Sequence, residues 1–103
     1  MQTTKRLAIV TGANRGLGFE MCKQLAAKGY SVVLTARDEE QGKEAARELH
    51  GQGLNNVEFM QLDTQQTDSI DSFADQVVSR YGGCYLLINN AGIYVDGWNQ
   101  EVI

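Results

Sequence analysis

The sequence predicts an α/β fold, a parallel sheet with helices on both faces in three layers, and two observations carry that expectation. Four short apolar runs, Leu7–Val10, Val32–Leu34, Val57–Met60 and Leu86–Ile88, are rich in Val, Ile or Leu and do not alternate with polar residues. Strands buried on both faces read this way. Three helix-length segments separate the runs, so strand and helix alternate three times before a final strand. That order implies parallel pairing through right-handed crossovers. The expected unit is one domain over residues 1–103, with about four strands and three helices.

The elements follow in order. The first strand, Leu7–Val10, runs into a glycine-rich loop and a helix that should begin near Gly16. Spacings of three and four residues predict that this helix buries Leu17, Met21, Cys22, Leu25 and Ala26, with Gly29 as a left-handed stop. After the second strand, Asp38 is the expected N-cap of helix two. Gln41 stands three residues on, at capping-box spacing, and a thin stripe of Ala45, Ala46 and Leu49 runs on to Gly51. Helix three should be capped by Thr67 or Asp68. Its apolar face should be Ile70, Phe73, Ala74, Val77, Val78 and Tyr81, and Gly82-Gly83 should terminate it.

Composition narrows the function classes. Lys and Arg number 9 against 13 Asp and Glu, a net charge of −4, which argues against a basic nucleic-acid or anionic-membrane binder. With 43% hydrophobic and 21% charged residues, and scattered glycines, the chain is neither disordered nor collagen-like. Cys22 and Cys84 lie in different segments without Cys-x-x-Cys spacing, and His50 is the one other soft ligand, so no metal site is expected. The apolar stretch Leu7–Val10 is too short for a signal-peptide core or a membrane span, which makes the cytoplasm the default compartment.

The chemistry concentrates at the ends of the strands. Strand one leads directly into Thr11-Gly12-Ala13-Asn14-Arg15-Gly16-Leu17-Gly18. Gly12 can turn tightly, Gly16 lets backbone approach a pyrophosphate, and Gly18 brings the helix close to the sheet. Free N–H groups and the positive end of the helix dipole then face the anion. The alternative is that the glycines only shape a strand-to-helix turn.

Strand two ends in Leu34-Thr35-Ala36-Arg37-Asp38. An NAD site expects an acidic side chain in this region to bind the ribose 2′-hydroxyl, but Ala36 and Arg37 stand there. A guanidinium grips a 2′-phosphate through paired, charge-assisted hydrogen bonds, and Arg15 is placed to add a second positive group. NADP is thus favoured over NAD. The alternative makes Arg37 a solvated residue and Asp38 the ribose ligand, although Asp38 has a competing role as N-cap. Strand three ends in Leu62-Asp63-Thr64, whose carboxylate could accept from an adenine amino group or could serve as a turn or cap before helix three. Strand four ends in Asn89-Asn90-Ala91-Gly92, small residues that would let backbone lie against a ribose or nicotinamide. Alone, that run is a turn signal.

Taken together, the Thr11-Gly12-x-x-x-Gly16-x-Gly18 loop, Asp63 and Asn89-Asn90-Ala91-Gly92 resemble the short-chain dehydrogenase/reductase family along essentially the whole chain. Residues 11–20 and 33–37 are similar to the NADPH-dependent carbonyl reductases of that family. The resemblance implies a Rossmann-like fold truncated to its cofactor half. It also implies NADP(H) held by Gly12, Asn14, Arg15, Gly16, Leu17, Gly18, Arg37, Leu62, Asp63, Asn90, Ala91 and Gly92, and hydride transfer to a ketone or aldehyde.

The family's catalytic Asn, Ser and Tyr-x-x-x-Lys lie after the strand-four signature, so the resemblance assigns no catalytic residue here. Four positions after Tyr30, Tyr81, Tyr85 and Tyr94 stand Leu34, Tyr85, Asn89 and Trp98, none of them lysine. The chain alone is therefore expected to bind cofactor without turnover. The alternative is a non-catalytic nucleotide-binding or interaction module. Either way, the edge of strand four, or the apolar tail of Tyr94, Val95, Trp98, Val102 and Ile103, is expected to be exposed or to pair with a second copy or a complementing chain. His50 reads as a solvated surface residue, and both cysteines read as core.

Overall fold

The computed structural model describes residues 6–63, 66–82, 86–88 and 101–102, the last two by backbone alone. The elements are β1 (Leu7–Val10), α1 (Gly16–Ala27), β2 (Ser31–Ala36), α2 (Glu39–Gly51), β3 (Val57–Gln61), α3 (Thr67–Tyr81), β4 (Leu86–Ile88) and β5 (Glu101–Val102). The strands form one parallel sheet in the order β3-β2-β1-β4-β5, the α/β arrangement that the alternating pattern predicts.

β1 is the centre of the sheet, and its residues are buried on both sides. Ala8 and Val10 belong to the core beneath α1 and α2, together with Val32, Leu34, Cys22, Ala26 and Leu49. Leu7 and Ile9 belong to the opposite core with Val33, Met60, Leu62, Phe73 and Val77, which α3 covers. The two-residue repeat of a strand divides one apolar run between two cores.

The helices end as their glycines require. Gly29 (φ 96°) and Gly53 (φ 87°) adopt the left-handed conformation just after α1 and α2. The N–H of Tyr30 reaches the Leu25 carbonyl (3.1 Å), and the N–H of Leu54 reaches that of Leu49 (3.0 Å), closing both helices as Schellman motifs. Gly82 (φ 80°) closes α3.

Several side chains depart from the sequence expectation. Leu17, expected in the buried stripe of α1, is 65% exposed, because the face of α1 that meets the sheet is Gly18, Cys22 and Ala26, with Met21 and Leu25 half-buried beside it. These small residues let the helix lie close to the strands. On α3 only Phe73 and Val77 are buried; Val78 is 55% exposed, one residue beyond the width of the packed stripe. The N-cap of α3 is Gln66 rather than Thr67 or Asp68, which both lie inside the first turn. His50 is exposed as expected, yet its Nε2 meets the Val57 carbonyl at 2.7 Å.

β4 also differs from expectation. Its edge is not bare: β5 pairs with it in parallel, Leu86 beside Glu101 and Leu87 beside Val102. Glu101 and Val102 thus lie along that edge of β4. Among the described residues, no helix is long and apolar enough to cross a membrane.

Candidate functional site

Parallel strands deliver their carboxyl ends to one edge of the sheet. Here the chain leaves β1 toward β2 on one side, while β4 lies on the other, so the loop after β1 stands where the strand order reverses. Ligands of open α/β sheets bind in that crevice.

The loop is held from three directions. The buried Thr11 donates its backbone N–H to the Ile88 carbonyl of β4 (3.1 Å), and its Oγ1 lies 3.4 Å from the same oxygen. Ala13 donates to the Thr35 carbonyl of β2 (2.7 Å), and the Thr35 hydroxyl donates back to the Val10 carbonyl (3.2 Å). Asn14 Nδ2 donates to Gln41 Oε1 in the first turn of α2 (3.0 Å). Thr11 and Thr35 are the two buried polar residues among those described, and both serve this loop. Their hydroxyls, one just after β1 and one within β2, are a signal the sequence carries but the glycine pattern overshadows.

The backbone explains the glycines. Gly12 (φ 58°) and Gly16 (φ 66°) sit in the left-handed region that L side chains rarely adopt. A Cβ built on Gly16 meets no atom within 4 Å, so open space adjoins this end of the helix. Gly18 is buried against the sheet, as the close-packing role requires. Arg15 is the N-cap of α1 and makes no side-chain capping bond, and the first turn holds no acidic residue. The positive end of the helix dipole therefore faces this space without a side-chain carboxylate to neutralise it. Arg15 and Leu17 project outward, exposed. The arrangement fits a pyrophosphate: N–H donors, a positive dipole and room for backbone contact.

At the end of β2, Arg37 is exposed, and its backbone carbonyl accepts from Gln61 Nε2 (3.0 Å). Asp38 caps α2, its Oδ1 accepting from the Gln41 N–H at 2.9 Å. The reciprocal half of the capping box is absent, because the Gln41 side chain turns to Asn14 instead. Beyond β3, Leu62 is buried and donates to the Ala36 carbonyl (3.0 Å). Asp63 is half-buried; its N–H donates to Ser69 Oγ (3.0 Å), and its carbonyl accepts from Gln66 (3.1 Å), which makes it a turn residue without being the cap of α3. The structure thus brings the ends of β1, β2 and β3 to one edge. Asn90, Ala91 and Gly92, with Cys84 and the tail from Tyr94 to Trp98, lie outside the described residues.

Other reactive groups belong to packing. Cys22 lies in the core, where burial pushes its thiol up to about 12. Tyr81 is held by Glu58, which accepts from its hydroxyl and also pairs with Arg80 (2.6 Å). Desolvation, then the Glu58 hydrogen bond and charge, raise the phenol to about 12, against a smaller opposing effect of Arg80. A trough of about 430 Å³ lies between α2 and α3 along β3, and its lining includes no residue of the glycine loop.

The glycine loop lies at the switch point of a parallel sheet with Arg37 exposed at the same edge, and the pattern of the short chain dehydrogenase family matches residues 6–102. This chain belongs to that family. Among relatives, short-chain dehydrogenase/reductase 1 of Saponaria officinalis is 50% identical over 91 residues, 86% of this chain and 30% of its own. Among solved structures, salutaridine reductase of Papaver somniferum matches with a TM-score of 0.82 at 45% identity, covering 85% of this chain and 30% of that one. A metagenomic short-chain oxidoreductase, solved in complex with NADP, matches with a TM-score of 0.77 at 40% identity, over 85% of this chain and 39% of its own. The chain therefore spans about a third of the length of these short-chain dehydrogenase relatives.

Proposed function

We infer that this chain is the NADP(H)-binding portion of a short-chain reductase that reduces a ketone or aldehyde. One observation carries the preference for the phosphorylated cofactor. Asp38, the acid best placed to bind a ribose 2′-hydroxyl, has an oxygen committed to capping α2, while the adjacent Arg37 is exposed. A guanidinium there suits a 2′-phosphate. The solved relative that carries NADP supports the same choice.

In this reading the N–H groups at the start of α1 take the pyrophosphate, with Gly12, Gly16 and Gly18 shaping the approach and Asn14 and Leu17 bordering it. Arg15 and Arg37 face the 2′-phosphate. Leu62 and Asp63 receive the adenine, and Asn90, Ala91 and Gly92 the ribose and nicotinamide side. The bound cofactor supplies a hydride. No tyrosine in the chain has a lysine four positions on, so the proton transfer that completes carbonyl reduction falls to residues supplied from elsewhere. Joining a complementing polypeptide, or a second copy, would proceed along the β5 side of the sheet.

The test is a calorimetric titration of the 103-residue chain with NADPH and NADH, repeated for Arg37→Ala. Charge-assisted hydrogen bonds contribute about 1.5–3 kcal/mol each, so the substitution should weaken NADPH by about tenfold or more and leave NADH nearly unchanged. Equal losses for both would remove Arg37 as the phosphate reader. A folded wild-type chain that takes up neither cofactor would overturn the reading as a whole.

A further inference from the structure

We propose that Gln41 is a specificity-determining positioning residue, a latch that holds the glycine loop against the start of α2 so that Arg15 and Arg37 border one phosphate. The inference rests on the NADP(H) reading above and adds a role that the capping-box spacing does not reveal. Gln41 joins two parts of the site at once. Its backbone N–H fixes the Asp38 carboxylate at 2.9 Å, which sets the turn that carries Arg37. Its side-chain Oε1 accepts from Asn14 Nδ2 at 3.0 Å, across 27 positions of sequence, and Asn14 adjoins Arg15.

Asn14 is half-buried and Gln41 exposed, and the bond between them is solvent-accessible. Such a bond adds little to the stability of the fold, because water competes for both partners. Its effect is instead on order: the loop and the helix start are already set at their working separation before ligand arrives, so less freedom is lost on binding. Thr11 and Ala13 tie the loop to β4 and β2 at its beginning, whereas Asn14 is the residue that ties its arginine-bearing half to α2.

The bound phosphate is the part of the cofactor that needs both arginines, so the latch should act on NADP and not on NAD. Gln41→Ala in the 103-residue chain should weaken NADP+ about five- to tenfold and NAD+ less than twofold, with the melting midpoint moved by no more than a few degrees. Because Gln41 acts through Asn14, adding Gln41→Ala to an Asn14→Ala chain should cost almost nothing further. Equal losses for NADP+ and NAD+, or the full Gln41→Ala loss persisting in the Asn14→Ala background, would overturn the latch while leaving the cofactor reading intact. Failure of the folded wild-type chain to bind NADP+ would overturn the cofactor reading and the latch with it. Circular dichroism of each variant distinguishes lost binding from lost folding.

Discussion

The two faces of the sheet are built on different principles. Beneath α1 and α2 the helix contacts are mostly small: Gly18, Cys22 and Ala26 on one helix, Gly42, Ala45 and Ala46 on the other, with Leu49 the large one. Beneath α3 they are bulky, with Phe73 and Val77 set among Met60, Leu62 and Leu87. Small contacts bring helix backbones close to the strands and leave the position of each helix to backbone geometry and hydrogen bonds. Beneath α3 two large side chains make the contact, and Val78 and Tyr81 at its margin are left exposed. The face that carries the glycine loop and the Arg37 turn is the closely fitted one. On the loop side small helix residues set how near the helices lie, whereas α3 is placed by the two large side chains Phe73 and Val77.

The largest expected effect tests the bulky face. Phe73→Ala empties a site that is 2% exposed and should cost about 3–5 kcal/mol in a urea titration, enough to threaten a chain of ordinary marginal stability. Where the variant remains folded, its preference for NADP over NAD should be unchanged. A loss below about 1 kcal/mol would show that α3 is not anchored by this ring.

Gly42→Val tests the fitted face. A Cβ at this position falls 1.9 Å from Cε1 of Phe59, so the ring or the helix must shift, at a cost of about 1–3 kcal/mol. Gly42 follows Gln41, and displacing the start of α2 should therefore weaken NADP+ as well as lower stability. Unchanged affinity in a destabilised chain would break the distinction between the two faces.

The smallest effect concerns the Tyr81–Glu58–Arg80 cluster at the end of α3. The folded phenol is raised to about 12, above the value near 10 of an unfolded tyrosine. Its neutral form is thus favoured by folding, and this contribution is fully present below about pH 10 and lost as pH rises toward 12. Tyr81 should ionise late by near-ultraviolet absorbance, and Tyr81→Phe should remove that late step. Glu58→Gln should lower it only in part, because burial is the leading cause. Identical titrations for all variants would exclude the cluster.

Much of this was legible in the sequence, for reasons that differ by element. The apolar runs sit inside the observed strands because burial on both faces demands continuous hydrophobicity, although β2 extends to Ser31 and Ala36, where backbone pairing needs no apolar side chain. Gly16 marks the start of α1 and Asp38 the cap of α2, since both are local requirements of backbone geometry. Leu17 is misread because spacings of three and four group it with Met21 and Leu25, whereas the face that meets the sheet is Gly18, Cys22 and Ala26. β5 was invisible, since two residues, one of them Glu101, make no pattern. The Asn14–Gln41 bond joins residues 27 apart, and only the tertiary fold brings them together.

The bond from Thr11 to the Ile88 carbonyl has a further consequence for how the molecule is made. It spans 77 positions, whereas Ala13 reaches Thr35 and Asn14 reaches Gln41. During vectorial synthesis, β1, β2 and β3 with their two intervening helices emerge before β4. Pairings of long sequence separation carry the greatest closure cost and form late. The loop that would grip the phosphates is thus translated before β4 and fastened on that side only once β4 joins the sheet.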